Sequence, residues 1–124
     1  LILDINFNTK YFERMIHHEI FHMIQKSNME IFDESRFSSL NDVNFKYAEC
    51  STCSDRLNLD LYNDTNGFLT EYSKSIASED MAEIFSFLMT DKTDIETLIK
   101  KDKILEKKVT FIKLGILKID KNIL

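Results

Sequence analysis

Apolar side chains recur every three or four residues between Thr9 and Lys26, which is the repeat of an amphipathic helix. The members of this stripe are Phe12, Met15, Ile16, Ile20, Met23 and Ile24. Ser27 and Asn28 interrupt the pattern. The sequence therefore predicts a helix from Thr9 to about Lys26 that carries a continuous apolar stripe.

Two histidines and a glutamate lie within this predicted helix, in the order His18-Glu19-Ile20-Phe21-His22. A separation of four residues places both imidazoles on one face, one turn apart, so that both can reach the same cation. Neutral imidazoles suit zinc. Glu19 lies about 100° around the helix from His18, which suits a general base acting on a zinc-activated water and not a third ligand. His17 also projects about 100° away, and we expect it to be a surface or hydrogen-bonded residue.

Residues 29–66 have no regular repeat and are rich in Asn, Asp and Ser. They predict a long irregular loop with one short helical turn, ending in an Asn66-Gly67 turn. A loop of this kind is unusual in a small domain unless it serves a site. Upstream of the first helix, Leu1–Ile5 predicts a short strand.

Two further helices are predicted after the loop. The first begins with Ser78 as N-cap and ends near Thr90. The second opens at Thr93 and Glu96, which have capping-box spacing, and Gly115 is expected to loosen or end it. Its lysines predict a solvated basic face beside a packed apolar face; they are Lys100, Lys101, Lys103, Lys107 and Lys108.

A catalytic zinc needs a third protein ligand and keeps a fourth position for water. The downstream candidates are the carboxylates Glu71, Glu79, Asp80 and Glu83. Glu79 and Glu83 are four residues apart in a predicted helix and therefore share a face. Such a pair is commonly a solvated acidic face. Here the surrounding residues are of buried type, which favours a site.

The segment from Thr70 to Phe85 resembles the second half of the zinc site in the protease domain of anthrax lethal factor. Bacterial Pro-Pro endopeptidases and zinc-binding metallopeptidases of bacterial envelopes are similar in the same way. In that group a Tyr lies seven residues before the ligand Glu, and another Glu follows the ligand by four. Tyr72, Glu79 and Glu83 reproduce both intervals.

The resemblance implies that Glu79 is the third zinc ligand and that Glu83 holds a ligand histidine by its free ring N–H. It implies that Tyr72 donates to the oxyanion of the tetrahedral intermediate. The expected fold is α+β, mostly helical and zincin-like: a short N-terminal strand, an active-site helix, a long loop and two C-terminal helices. We expect residues 1–124 to form a single domain of this type, one that could lack elements upstream.

Composition bears on the partners and the compartment. The net charge of −5 argues against nucleic acid, in spite of a basic stretch at residues 100–118. No apolar run reaches the length of a membrane span. Cys50 and Cys53 form one C-x-x-C, which is compatible with a disulfide or with two free thiols. We expect an extracellular or cell-envelope location, although the chain contains no targeting segment.

These observations lead to competing hypotheses. The first is a zinc-dependent endopeptidase that acts on a peptide or protein substrate, with Glu19 as general base. The second is a non-catalytic binding module that keeps zinc as a structural cross-link. In such a module a side chain such as Cys50 or Asp80 would fill the fourth zinc position. A toxin or effector fragment is a third reading, which differs from the first only in its substrate.

Overall fold

A computed structural model of the protein describes residues 9–50, 52–53 and 66–124. The described part contains the helices α1 (Thr9–Ser27), α2 (Glu34–Ser38), α3 (Ala77–Thr90), α4 (Lys92–Ile99) and α5 (Lys103–Ile119), and a 3-10 turn at Tyr72–Lys74. No strand occurs within these ranges. The mostly helical prediction is therefore confirmed for the described residues, and the predicted strand Leu1–Ile5 lies outside them.

Helix α1 matches the predicted bounds, but the face that it buries is not its apolar stripe. The buried residues are Arg14, His18, Phe21 and Gln25. Ile16, Ile20 and Met23 of the stripe are exposed, Met23 by 71%. Helix α1 packs on α3 with its histidine side, because the polar groups on that side have partners there. Hydrophobic periodicity thus predicted the helix correctly but did not predict its buried face.

Helix α3 is the central element, and it is buried around nearly its whole circumference, as expected for a helix packed on several sides. It contacts α1, α2, α4 and α5. The helix begins at Ala77 and its N-cap is Ile76, which has extended backbone and no side-chain cap. The prediction of Ser78 as N-cap is therefore wrong, whereas Glu79 and Asp80 do occupy the first turn. There their negative charges interact favourably with the positive end of the helix dipole.

The single third helix predicted from the sequence is two helices, α4 and α5. The break comes at Asp102, whose backbone is extended and whose Oδ1 accepts the N–H of Leu105 at 3.0 Å, an N-cap that starts a new helix. Thr93 lies inside the first turn of α4 and does not cap it, since the N-cap is Asp91. The predicted capping box is therefore wrong.

Gly115 does not end the last helix, because α5 continues to Ile119. A Cβ atom at Gly115 would lie 2.7 Å from Cζ of Phe32. The glycine is present because an aromatic ring packs directly on the helix backbone at this position.

The long loop contains the expected short helical turn, which is α2. Asp33 caps it by accepting the N–H of Arg36 at 2.7 Å. The predicted turn at Asn66-Gly67 is also present, with φ of 47° and 92° at the two residues. Cys50 and Cys53 are joined in a disulfide, which decides between the two readings left open by their spacing.

Aromatic rings connect the loop and helices in the core. The ring centroids of Phe21 and Phe32 are 5.1 Å apart, and those of Phe21 and Phe85 are 5.4 Å apart. Phe32 also faces Phe111 of α5. These packed rings hold α1 against α3 and thereby set the distance between the side chains that the two helices contribute. Within the described residues, no helix combines the length and apolar character needed to cross a membrane.

Lys108 departs from the predicted solvated basic face, because its side chain is fully buried. Its Nζ donates to Oδ2 of Asp80 and to the carbonyl oxygen of Gly67, each at 2.8 Å. It also lies 3.7 Å from the centroid of the Phe68 ring. Lys108 lies three residues after Leu105 and four before Ile112, and it therefore shares their buried side of α5. This spacing could have predicted its burial from the sequence.

Candidate metal centre

The packing of α1 on α3 brings the two histidines to one carboxylate. Nε2 of His18 lies 2.9 Å from Oε2 of Glu79, and Nε2 of His22 lies 2.9 Å from Oε1 of the same residue. The two Nε2 atoms are 3.1 Å apart. Three side chains that are distant in sequence therefore point their ligand-type atoms at one small volume.

The protonation of His18 follows from its other neighbour. Nδ1 of His18 lies 2.9 Å from Oε2 of Glu83. Because a carboxylate only accepts hydrogen bonds, Nδ1 carries the proton, and in the neutral imidazole Nε2 presents a lone pair. In the metal-free protein Nε2 lies 2.9 Å from Oε2 of Glu79 and carries a second proton, which a metal ion would replace. The arrangement collects electron-pair donors around a point that a cation can occupy.

The donor set fits zinc. Tetrahedral zinc with bonds of about 2.0–2.1 Å places its ligand atoms about 3.3 Å from one another. The distances of 2.9 and 3.1 Å between the ligand atoms are close to that value. Two imidazoles and one carboxylate are also a ligand combination found in catalytic zinc sites.

The close approach of histidines and carboxylates shifts the pKa values of His18 and Glu79 in the metal-free site. Burial lowers the pKa of His18, but hydrogen bonds and charge from Glu79 and Glu83 outweigh it and raise this pKa to about 9. Burial would raise the pKa of Glu79, but hydrogen bonds from His18, His22 and Tyr72 hold it well below its usual range. Positive charge, whether a proton or a metal ion, is favoured between these groups.

Glu83 is connected in turn to the end of the long loop. The hydroxyl of Thr70 donates to Oε1 of Glu83 at 2.7 Å, and both residues are fully buried. The same hydroxyl oxygen accepts the backbone N–H of Ser73 at 3.1 Å. The two hydrogen bonds from His18 to Glu83 and from Thr70 to Glu83 thus join α1, α3 and the segment that carries Tyr72.

Glu19 and Tyr72 lie beside the three convergent side chains. Glu19 is exposed, and it offers an oxygen within 4.8 Å of the histidine ligand atoms. The ring of Tyr72 is centred 6.0 Å from that of His18, and its hydroxyl contributes to the low pKa of Glu79. The side chain of His22 is 28% exposed, so this side of the site is open to solvent.

The other predicted candidates do not join the site. Asp80 is fully buried and pairs with Lys108. It lies about 100° around α3 from Glu79, on the side of the helix that meets Lys108 of α5. Glu71 forms an ion pair with Lys74 at 3.7 Å. His17 packs at the edge of the Phe85 ring, as a residue outside the metal geometry would.

Thr70 and Lys108 are buried polar residues that the sequence analysis did not connect with the site. Thr70 lies in an irregular segment, where no periodicity indicates which side chains are buried. Lys108 carried a signal in its position on the apolar side of α5, but its charge suggested a solvated side chain.

Comparison with known proteins gives one result. A family model described as "Putative zinc-binding metallo-peptidase" matches residues 3–115. Neither the curated proteins nor the solved structures include a significant match. The family model covers α1, α3 and every residue of the candidate centre. The chain therefore belongs to the family described as "Putative zinc-binding metallo-peptidase".

Proposed function

We propose that the protein is a zinc-dependent endopeptidase. The observation that carries the proposal is the convergence of His18, His22 and Glu79, with 2.9 Å between Glu79 and each imidazole. Membership in a family named for zinc binding and peptidase activity supports it. The proposal includes a zincin-like arrangement, with the metal held between α1 and α3.

Zinc would be held by Nε2 of His18, Nε2 of His22 and the carboxylate of Glu79. When bound, it supplies Lewis-acid chemistry, which acidifies a water molecule and polarises the scissile carbonyl. Glu83 keeps Nδ1 of His18 protonated and so directs Nε2 toward the metal position. Thr70 restrains Glu83 in that role.

Glu19 is the proposed general base. It is exposed and near the histidine ligand atoms, so that it can take a proton from the attacking water and pass it to the leaving amine. Tyr72 is the proposed oxyanion donor, because its phenol hydroxyl is a hydrogen-bond donor beside His18.

The contacts of two residues support the enzyme over the non-catalytic module. In a module, a side chain such as Asp80 or Cys50 would occupy the fourth position. Asp80 is engaged by Lys108, and Cys50 is engaged by Cys53. Both are therefore committed to other partners. The exposed Glu19 beside the centre is also a group that a purely structural zinc site has no use for.

The substrate is proposed to be a peptide or protein outside the cytosol. The Cys50–Cys53 disulfide supports an extracellular or cell-envelope location, because such bonds persist in oxidising compartments.

The test compares Glu19→Gln with Glu13→Gln, a matched change at another exposed glutamate of α1. Zinc content is measured by elemental analysis, and hydrolysis is measured with a peptide library. We expect Glu19→Gln to keep one equivalent of zinc and to lose about 10²–10⁴-fold in turnover. Glu13→Gln should match the wild type in both.

Loss of zinc together with activity in Glu19→Gln would show that Glu19 is a ligand. Wild-type turnover in that variant would remove it from the mechanism. A wild-type protein that binds zinc but cleaves no library peptide would favour the non-catalytic module.

A further inference from the structure

A buried lysine, Lys108, links α5 to α3 and to the segment that begins at Gly67. Both of these contribute side chains to the surroundings of the metal centre. Besides Lys108, the oxygen Oδ2 of Asp80 has a second donor, the hydroxyl of Tyr47 at 2.6 Å. Lys108 also holds the carbonyl of Gly67. We refer to Tyr47, Gly67, Asp80 and Lys108 as the Lys108 cluster. It is separate from the candidate ligands, and the proposed mechanism does not use it.

The first link runs through α3. Asp80 directly follows Glu79, and consecutive helical residues project about 100° apart. Glu79 therefore meets the histidines of α1, while Asp80 is held from the side of α5. The contact with Lys108 restrains both the rotation of α3 about its axis and its position along that axis. Those two variables decide where the carboxylate of Glu79 meets His18 and His22.

The second link runs through the end of the long loop. The N–H of Gly67 donates to Oδ2 of Asp102 at 2.6 Å, and its carbonyl accepts from Lys108 at 2.8 Å. Asp102, the N-cap of α5, and Lys108 thus hold Gly67 by both of its backbone polar groups. Thr70, which contacts Glu83, follows three residues later, and Tyr72 follows it. Helix α5 therefore fixes where this segment leaves the turn.

Burial of an ion pair is a poor device for stability alone. Desolvation of the two charges can exceed their attraction, and well-packed apolar residues in their place are often neutral or stabilising. Buried hydrogen-bonding side chains do restrict which arrangements of the helices are possible, because each donor must meet its acceptor. The cluster is therefore better explained by the geometry that it imposes than by the free energy that it contributes.

We propose that Lys108 is a positioning residue for the metal centre, holding Asp80 and Gly67 so that Glu79 meets the histidines of α1 and Thr70 meets Glu83. This inference rests on the proposed function, since it takes His18, His22 and Glu79 as the zinc ligands. It also assigns a role to α5, which contributes no ligand to the site.

The experiment uses the double variant Lys108→Met/Asp80→Asn in the full chain. The variant replaces the ion pair by neutral side chains of nearly the same volume, so that no charge is left buried without its partner. Lys107→Met, on the exposed side of the same helix, is the control for loss of a lysine. Circular dichroism reports folding, and competition with a chromophoric chelator gives the zinc dissociation constant.

The expected result is wild-type helix content in the double variant with a zinc dissociation constant raised about tenfold, the lower end of the effect known for outer-shell partners of metal ligands. Lys107→Met should bind zinc as the wild type does. Wild-type zinc affinity in the folded double variant would overturn the proposal, because a purely structural pair predicts that result. An equal loss of affinity in Lys107→Met would overturn it as well, by pointing to overall charge.

Tyr47→Phe keeps the proposal testable if the double variant does not fold. This change removes only the hydroxyl that shares Oδ2 of Asp80. A smaller but measurable weakening of zinc binding in the folded protein supports the positioning role, and unchanged binding contradicts it.

Failure of this inference and failure of the proposed function give different results. A wild-type chain that binds no zinc would defeat both. Zinc binding and Glu19-dependent hydrolysis in the wild type, together with unchanged zinc affinity in the Lys108 cluster variants, would defeat the positioning role alone.

Discussion

Oε2 of Glu83 lies 2.9 Å from Nδ1 of His18, although 65 residues separate them in the chain. The contact determines that Nδ1 of His18 keeps its proton when the ring is neutral, and it turns the Nε2 edge of the ring toward Glu79. A carboxylate one helical turn beyond Glu79 thereby controls how an imidazole on another helix presents its lone pair. The arrangement of the candidate centre depends on this pair as much as on the three convergent side chains.

Thr70→Val tests the donor that restrains Glu83. The change keeps the shape of the side chain but removes the hydroxyl that donates to Oε1 of Glu83 at 2.7 Å. We expect zinc affinity to fall about tenfold, because a misoriented Glu83 holds His18 less well. Chelator competition measures the affinity, and Thr97→Val, at an exposed position of α4, is the control. Equal affinity in the two variants would mean that Thr70 is not needed to orient Glu83.

Tyr72→Phe tests the proposed oxyanion donor. Loss of the hydroxyl should lower kcat on the order of a hundredfold while one equivalent of zinc stays bound. KM should change little if the hydroxyl acts mainly in the transition state. Steady-state kinetics and elemental analysis measure the two effects, with Tyr11→Phe on α1 as the control. Zinc lost in proportion to activity would instead assign Tyr72 to the structure of the centre.

The metal-free protein should lose stability as the pH rises. Glu79 and Glu83 raise the pKa of buried His18 from 6.5 to about 9. Since the folded-state pKa lies above the unfolded one, the stabilisation is complete below about pH 6.5 and disappears as the pH rises through about 9. A shift of this size corresponds to on the order of 3 kcal/mol. Urea denaturation in the presence of a chelator measures it.

His18→Gln provides the control for that pH dependence, because it removes the titrating imidazole. The free energy of unfolding of this variant should change much less over the same range. Zinc binding to the wild type should follow the opposite trend and strengthen toward pH 9, because the metal competes with the proton on His18. A wild-type stability that is flat between about pH 6.5 and pH 9 would refute the assigned protonation.

Gly115→Ala should destabilise the protein, although alanine is normally the better helix former. The new Cβ would lie 2.7 Å from Cζ of Phe32 and 3.1 Å from Cγ2 of Ile31. Phe32 is fully buried, so relieving the overlap should cost about 1–3 kcal/mol, against a gain of about 1 kcal/mol in helix propensity. Thermal unfolding measures the change, and Thr110→Ala, exposed on α5, should be close to neutral. A rise in Tm for Gly115→Ala would mean that the Phe32 ring moves at little cost.

Local pattern was enough to identify the helix that carries both histidines. A repeat of three and four residues predicts a helix, and a separation of four places two side chains on one face, whatever the rest of the chain does. Thr9–Ser27 is helical for that reason, and His18 and His22 lie side by side on it. The acidic first turn of α3 followed in the same way from residues near in sequence.

Tertiary packing decided which groups the histidines meet. Glu79 and Asp80 are adjacent carboxylates in one turn, and only the placement of α3 between α1 and α5 sends the first to the imidazoles and the second to Lys108. The buried face of α1, the burial of Lys108 and the contact of Thr70 with Glu83 have the same origin. Each depends on a partner distant in the chain, and a local repeat contains no information about the direction from which that partner approaches.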